Sequence, residues 1–180
     1  MSLDEMKPVL IAGGRVIDPS QEIDMVGDLL IKGGVVKGIN GHIAPPQDAR
    51  TIDAKGLVVS PGFVDPHTHS DADLLIDPQH AYGLRQGITT EILGLGGISF
   101  APLSKSNYRM YTRWLVGILG EPPEDADMSS ITSFRANYHR KVAINTAYLV
   151  PSGAIRIEVS GFRSGRLDED QMQAAVRLVR

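Results

Sequence analysis

A chain of 180 residues, 42% apolar and 22% charged, is long enough for one or two domains with a buried core. Its formal charge of -3 and its lack of a basic run argue against a nucleic-acid-binding face, and its lack of cysteine excludes a disulfide framework or a thiolate metal site. The acidic start Ser2-Leu3-Asp4-Glu5 has no signal-peptide pattern, and no apolar run approaches a membrane span, so the expectation is a cytoplasmic protein acting on a small molecule, with no nucleic-acid or membrane partner and an oligomeric state left open.

The first elements in the chain are short strands punctuated by glycine. Val9–Ala12 meets Gly13-Gly14, Arg15–Ile17 stops at Asp18-Pro19, Asp28–Lys32 meets Gly33-Gly34, and Val35–Ile39 follows. β-Branched runs joined by Gly-Gly signal hairpins, because glycine accepts the positive φ of tight turns. Residues 1–56 thus read as a small antiparallel β unit.

From Gly56 the pattern changes. An apolar strand is expected over 57–64, interrupted by Ser60-Pro61, then a helical segment over 79–86 and a strand over 88–93 that ends in Gly94-Leu95-Gly96-Gly97. A helix over 108–119 places Tyr111, Leu115 and Ile118 on one side, and another helix begins near Ser129 or Ser130. A third strand is expected over 142–150. The last helix has Asp168 as its N-cap and an apolar stripe at Met172, Ala175, Val176 and Val179. It is still periodic at Arg180, which reads as a cut chain. Strands alternating with helices predict βα units and a parallel sheet, so residues 57–180 form a second, α/β part. A closed (β/α)₈ barrel takes about 250 residues, so three such units make only part of one.

The sharpest chemical signal is His67-Thr68-His69, just past the first of these strands. On an extended segment, side chains at i and i+2 project to one face, so two imidazoles can converge on one metal ion such as zinc. The carboxyl ends of parallel strands are also where α/β folds place their chemistry. Asp65 is a candidate to orient a histidine from behind, or simply to close the strand turn. Asp71 and Asp73 read as solvated loop carboxylates. His42 reads as a turn residue, His80 as the start of a helix and His139 as the end of one, none of them a metal ligand. Arg156 is a candidate grip for a substrate carboxylate. The glycines at 94–97 lack the Gly-Lys-Ser/Thr ending of a phosphate loop.

Pro61-Gly62-Phe63-Val64-Asp65-Pro66-His67-Thr68-His69 resembles the Pro-Gly-Phe-x-Asp-x-His-x-His signature of the amidohydrolase superfamily. Asp53–Val59 resembles that family's lead-in, and Gly14–Asp18 its start. Within the superfamily the resemblance is to N-acyl-D-amino-acid deacylases, through His67–Asp71, Gln86–Glu91, Gly97–Leu103 and Asn145–Pro151. It implies the amino-terminal fragment of an enzyme that joins a small β-sandwich part to a TIM-like metal-dependent barrel, here its first three βα units. It also implies that His67 and His69 ligate zinc, with one or two ions in an intact enzyme. A metal-activated water would attack the amide, with a general-base aspartate expected beyond Arg180.

Two departures stand out. Gly96 occupies the position where the family carries a cysteine or aspartate ligand, and Ser152 stands where a histidine is frequent. Two histidines also fall short of the three protein ligands of a catalytic zinc, so this chain alone is expected to be inactive. The alternatives are a dihydroorotase- or hydantoinase-like cyclic-amide hydrolase, since Arg15–Ser20 suits that group too, and a non-catalytic binding or scaffold protein.

Overall fold

A computed structural model describes residues 6–179. The acidic start Ser2–Glu5 and Arg180 lie outside them. The chain separates into two compact units, the first ending at Pro61 and the second beginning at Gly62, rather than at Gly56. No helix among the described residues is long and apolar enough to cross a membrane.

The first unit is one sheet. Its strands are β1 (Val9–Asp18), β2 (Ile23–Lys32), β3 (Val35–Asn40), β4 (Arg50–Asp53) and β5 (Val58–Val59), in the order β3-β2-β1-β4 with β5 also beside β1. The β2–β3 turn is the Gly-Gly turn read from the sequence, with φ of 60° at Gly33 and 72° at Gly34. Gly13-Gly14 is different. It lies inside β1 as an irregularity in the register with β2, and the β1–β2 reversal falls at the turn Pro19–Gln21, capped by Asp18. The unit is also not wholly antiparallel. After β3 the chain crosses through residues 41–49 and lays β4, then β5, parallel to β1.

Asp28 explains the irregularity. Its carboxylate is buried in β2 and accepts N–H bonds from Gly13 and from Ile43, both at 2.8 Å, with His42 Nδ1 at 3.1 Å. The backbone bonds from Ile43 and Gly13 hold its pKa below the usual carboxylate value, with His42 adding to the effect. A depressed folded pKa stabilises the fold above the unfolded value of about 3.9 and is lost as pH falls through the folded one. Asp28→Ala is therefore expected to lower the melting temperature at pH 7. It should also remove part of the acid destabilisation expected of wild type below about pH 4. Parallel melting curves for the two proteins from pH 7 to pH 2 would contradict this.

The second unit contains a three-stranded parallel sheet in the order β6-β7-β8, made by Phe63–Asp65, Ile88–Leu93 and Asn145–Tyr148. The strand expected over 57–64 is thus two strands in two sheets. Ser60-Pro61-Gly62 separates them, and proline cannot donate to a ladder. Helices α1 (Asp73–Ile76) and α2 (Ala81–Arg85) lie between β6 and β7. Between β7 and β8 lie a 3-10 turn (Leu95–Gly97), α3 (Lys105–Leu119) and α4 (Ile131–Tyr138). After β8 come α5 (Ser152–Ser160) and α6 (Glu169–Val179).

The side chains of α3 that enter the core are Tyr108, Tyr111, Leu115 and Leu119. Ile118, expected on that face, is half exposed because the stripe runs i, i+3, i+7, i+11. Ser130 caps α4 by accepting the N–H of Ser133 at 3.0 Å. Asp168 Oδ1 accepts the N–H of Gln171 at 2.9 Å, and Gln171 Oε1 returns the bond to the Asp168 N–H at 3.1 Å, a reciprocal cap. β8 is shorter than the apolar run at 142–150, because Ile144 and Val142 pack into the core before the ladder starts. Helix α5, not expected from the sequence, starts after Pro151 and buries Ala154, Ile155 and Ile157.

The core of this unit is aromatic. Phe134 stacks on Tyr148 at 4.0 Å between ring centroids and leans on Tyr138 at 4.8 Å. Both phenols are satisfied: Tyr138 donates to the Asp71 carbonyl at 2.7 Å, and Tyr148 donates to the Ala101 carbonyl at 2.8 Å.

Candidate metal centre

The loop Pro66–Asp71 leaves β6 at its carboxyl end and carries both histidines. The His67 and His69 rings lie 5.7 Å apart between centroids, nearly perpendicular at 82°. Two imidazoles sharing a zinc at the ordinary Zn–N length of about 2.0–2.1 Å stand roughly 5 Å apart, so this spacing fits a common ion. His67 is exposed, whereas His69 Nδ1 is buried and has no hydrogen-bond partner. An orphaned buried ring nitrogen is costly unless something binds there. The pair therefore fits a metal, as an incomplete set. Among the described residues, no group of three or more His, Cys, Asp or Glu is arranged to hold an ion.

Asp65 Oδ1 accepts the backbone N–H of His67 at 3.0 Å, an i to i+2 bond that folds the loop back from the strand. It positions His67 through the main chain rather than through the ring. Gly96 sits in the turn after β7 with φ of 65°, and a Cβ there would meet nothing within 4 Å. The position has open space for the side chain that the resemblance leads one to expect, but its left-handed φ would strain a residue that carries a Cβ. Ser152 begins α5. Arg156, within α5, donates to the carbonyls of Arg163 (3.3 Å) and Gly165, so its guanidinium fastens the 161–165 loop.

An open cavity of about 430 Å³ lies beside the histidine loop, lined by Asp65, Thr68, His69, Ser70, Asp73, His80, Tyr82, Gly83, Gln86, Ile88 and Glu91. A larger cleft of about 640 Å³ between α4 and β8 contains His139 but no carboxylate to pair with it. Of these two, the smaller carries the convergent polar side chains.

Three buried polar residues of this region matter, and one of them, Asp71, differs from the reading of the sequence. Asp71 is not a solvated loop carboxylate but fully buried, accepting the Ser99 hydroxyl on Oδ1 and leaving Oδ2 without a partner. Burial raises its pKa to about 6, partly opposed by the Ser99 bond and reinforced by the charge of Glu91. His80 is buried too, at 1% exposure, with φ of 46° at the start of α2. Its ring lies where a Cβ on Gly83 would collide with it, so Gly83 makes the space. Glu91, not singled out by the sequence, is 3% exposed in the middle of β7. A glutamate on the same strand face as the buried Leu93, in Ile88-Thr89-Thr90-Glu91-Ile92-Leu93, is the signal that marks it.

Residues 50–117, which take in the histidine loop, β6 and β7, match the Amidohydrolase family. Within that class, the chain is 36% identical over 169 residues to the N-acyl-D-aspartate deacylase of Alcaligenes xylosoxydans xylosoxydans, covering 93% of this chain and 32% of that protein. It is 50% identical over 74 residues to the dihydroorotase of Geobacter metallireducens, covering 41% of this chain and 16% of that one. Among solved structures it is similar to the N-acyl-D-glutamate deacylase of Bordetella bronchiseptica, complexed with zinc and a phosphonate inhibitor. That similarity has a TM-score of 0.76 at 26% identity, over 96% of this chain and 35% of that one. The chain thus resembles the amidohydrolase superfamily and, within it, the N-acyl-D-amino-acid deacylases. It spans about a third of the length of these two deacylases.

Proposed function

We propose that this chain is part of a metal-dependent amidohydrolase that deacylates N-acyl-D-amino acids, with His67 and His69 as two of its metal ligands. The observation that carries this reading is the His67–His69 pair at the end of the first parallel strand, 5.7 Å apart with one buried ring nitrogen unpartnered. The deacylase similarity along 93% of the chain supports the substrate class. On this reading the β-sheet of the first unit is the sandwich part, and β6, β7 and β8 are the first strands of a TIM-like barrel. When bound, a zinc ion would polarise the amide carbonyl and lower the pKa of a water toward neutrality.

This chain's own residues prepare the place. His67 and His69 present two ring nitrogens, Asp65 fixes the backbone between strand and ligand, and the cavity beside His69 gives a small substrate access. A further ligand, which the described residues do not offer, completes the site. Arg156 Nη2 is engaged by the carbonyls of Arg163 and Gly165, so a grip on a substrate carboxylate would use Nη1 and Nε.

Calorimetric titration with Zn²⁺ tests the ligand assignment. His67→Ala and His69→Ala are each expected to reduce uptake by at least about 10-fold, since each leaves a single ring nitrogen. Uptake equal to wild type in both variants would end the reading. A second reading, hydrolysis of a cyclic amide, is favoured by the dihydroorotase similarity over 41% of the chain. Parallel assays of N-acetyl-D-amino acids and dihydroorotate, with the protein that carries this segment, separate the two by which substrate is turned over.

A further inference from the structure

We infer that Glu91 is a positioning residue that, through Ser70, fixes the loop carrying His69; this rests on the reading of His69 as a metal ligand. A carboxylate at 3% exposure in a strand interior costs several kcal/mol unless partners compensate it. Both of its oxygens have one. Ser70, the residue after His69, donates its hydroxyl to Oε2. His80 places Nε2 at 2.7 Å from Oε1, too oblique for a directed hydrogen bond but within contact distance of the charge.

The chain of bonds reaches further. Thr68, the residue before His69, donates its hydroxyl to Ser70 Oγ at 3.2 Å. The two residues flanking His69 are therefore tied to one another and then to β7. In the strand register Glu91 stands opposite Asp65, whose carboxylate holds the His67 N–H. One level of the β6–β7 pair thus supplies both anchors of the ligand loop. The Thr68, Ser70 and Glu91 bonds would be unnecessary if Glu91 merely fastened α2 to its strand through His80. Their convergence on both sides of His69 points to ligand placement.

Ser70→Ala is the mild test, because it removes one hydroxyl and leaves the carboxylate with His80. Glu91→Gln serves as the conservative rescue, since an amide oxygen still accepts the Ser70 hydroxyl. Two readouts are taken on the protein that carries this segment: Co²⁺ affinity by calorimetry, and the ring carbon–proton resonances of His69 in metal-free protein. Ser70→Ala is expected to weaken Co²⁺ binding by about 10–100-fold and to broaden or double the His69 resonances, with Glu91→Gln nearer to wild type.

A Ser70→Ala protein with unchanged His69 resonances and Co²⁺ affinity within about twofold of wild type overturns the inference, whatever its melting temperature. Wild-type protein that carries this segment and takes up no Co²⁺ counts against the metal-ligand reading instead. The His69 resonances then decide the positioning role alone: broadened in Ser70→Ala they uphold it, unchanged they overturn it.

Discussion

Replacing Asp71 by asparagine is expected to stabilise the metal-free protein at pH 8 and to leave it nearly unchanged at pH 4. Asp71 is fully buried, and its folded pKa is raised to about 6 from an ordinary carboxylate value, chiefly by loss of hydration. A raised folded pKa means that the folded state prefers the protonated acid. The group's contribution is fully present below the unfolded pKa of about 4, is lost as pH rises through 6, and becomes a constant cost above about pH 7. A shift of about two units corresponds to roughly 3 kcal/mol, an order-of-magnitude upper figure because nearby protein dipoles relax around the charge. Asparagine resembles the protonated acid in shape and keeps an oxygen for the Ser99 hydroxyl. Urea melts of chelator-treated wild type and variant at pH 4, 6 and 8 provide the test. A stability difference that stays flat across that range would show that Asp71 does not carry the buried charge.

Phe134→Ala is expected to cost about 3–5 kcal/mol, the ordinary range for deleting a buried aromatic ring, and Phe134→Leu about 1–2 kcal/mol. Phe134 is 1% exposed and touches two rings that themselves fix the hydrogen bonds to Asp71 and Ala101. Its loss therefore leaves a cavity and loosens the α4–β8 packing together. Against a total domain stability of about 5–15 kcal/mol, this is enough to unfold a large fraction of the second unit near body temperature. Denaturant midpoints for the two variants give the answer, and a loss below about 1 kcal/mol in Phe134→Ala would mean that the α4–β8 interface is not part of the cooperative core.

Local patterns in the sequence determined a good deal. The β7 run at 88–93, the Gly33-Gly34 turn, the helix start near Ser129 or Ser130, the Asp168 cap and the His-x-His spacing each depend on near neighbours, and each is read from a few residues. Three parallel strands in chain order follow from the alternation of strand-like and helix-like runs. Where local signals were ambiguous, the tertiary structure decided. The apolar run at 57–64 contains two strands because each half found a different partner, Val58–Val59 beside β1 and Phe63–Asp65 beside β7. Gly13-Gly14 became an irregularity in a strand because the Asp28 carboxylate, 15 residues away, claimed the Gly13 N–H.

The burial of polar side chains was the least legible feature, and it shapes the candidate site. Asp71 reads as a solvated loop carboxylate, His80 only as the start of a helix, and Glu91 is given no role, since a charged side chain is usually solvated. Whether it is buried depends on what long-range packing brings beside it. Ser99 reaches Asp71 from 28 residues away, Glu91 meets Ser70 from 21, and Gly83 clears the space for the His80 ring. The two histidines were determined by spacing along one strand-like segment. Their surroundings were decided by the tertiary structure: Asp65 of β6 holds the His67 N–H, and Glu91 of β7 accepts the hydroxyl of Ser70 beside His69, because only packing brings β7 to the loop.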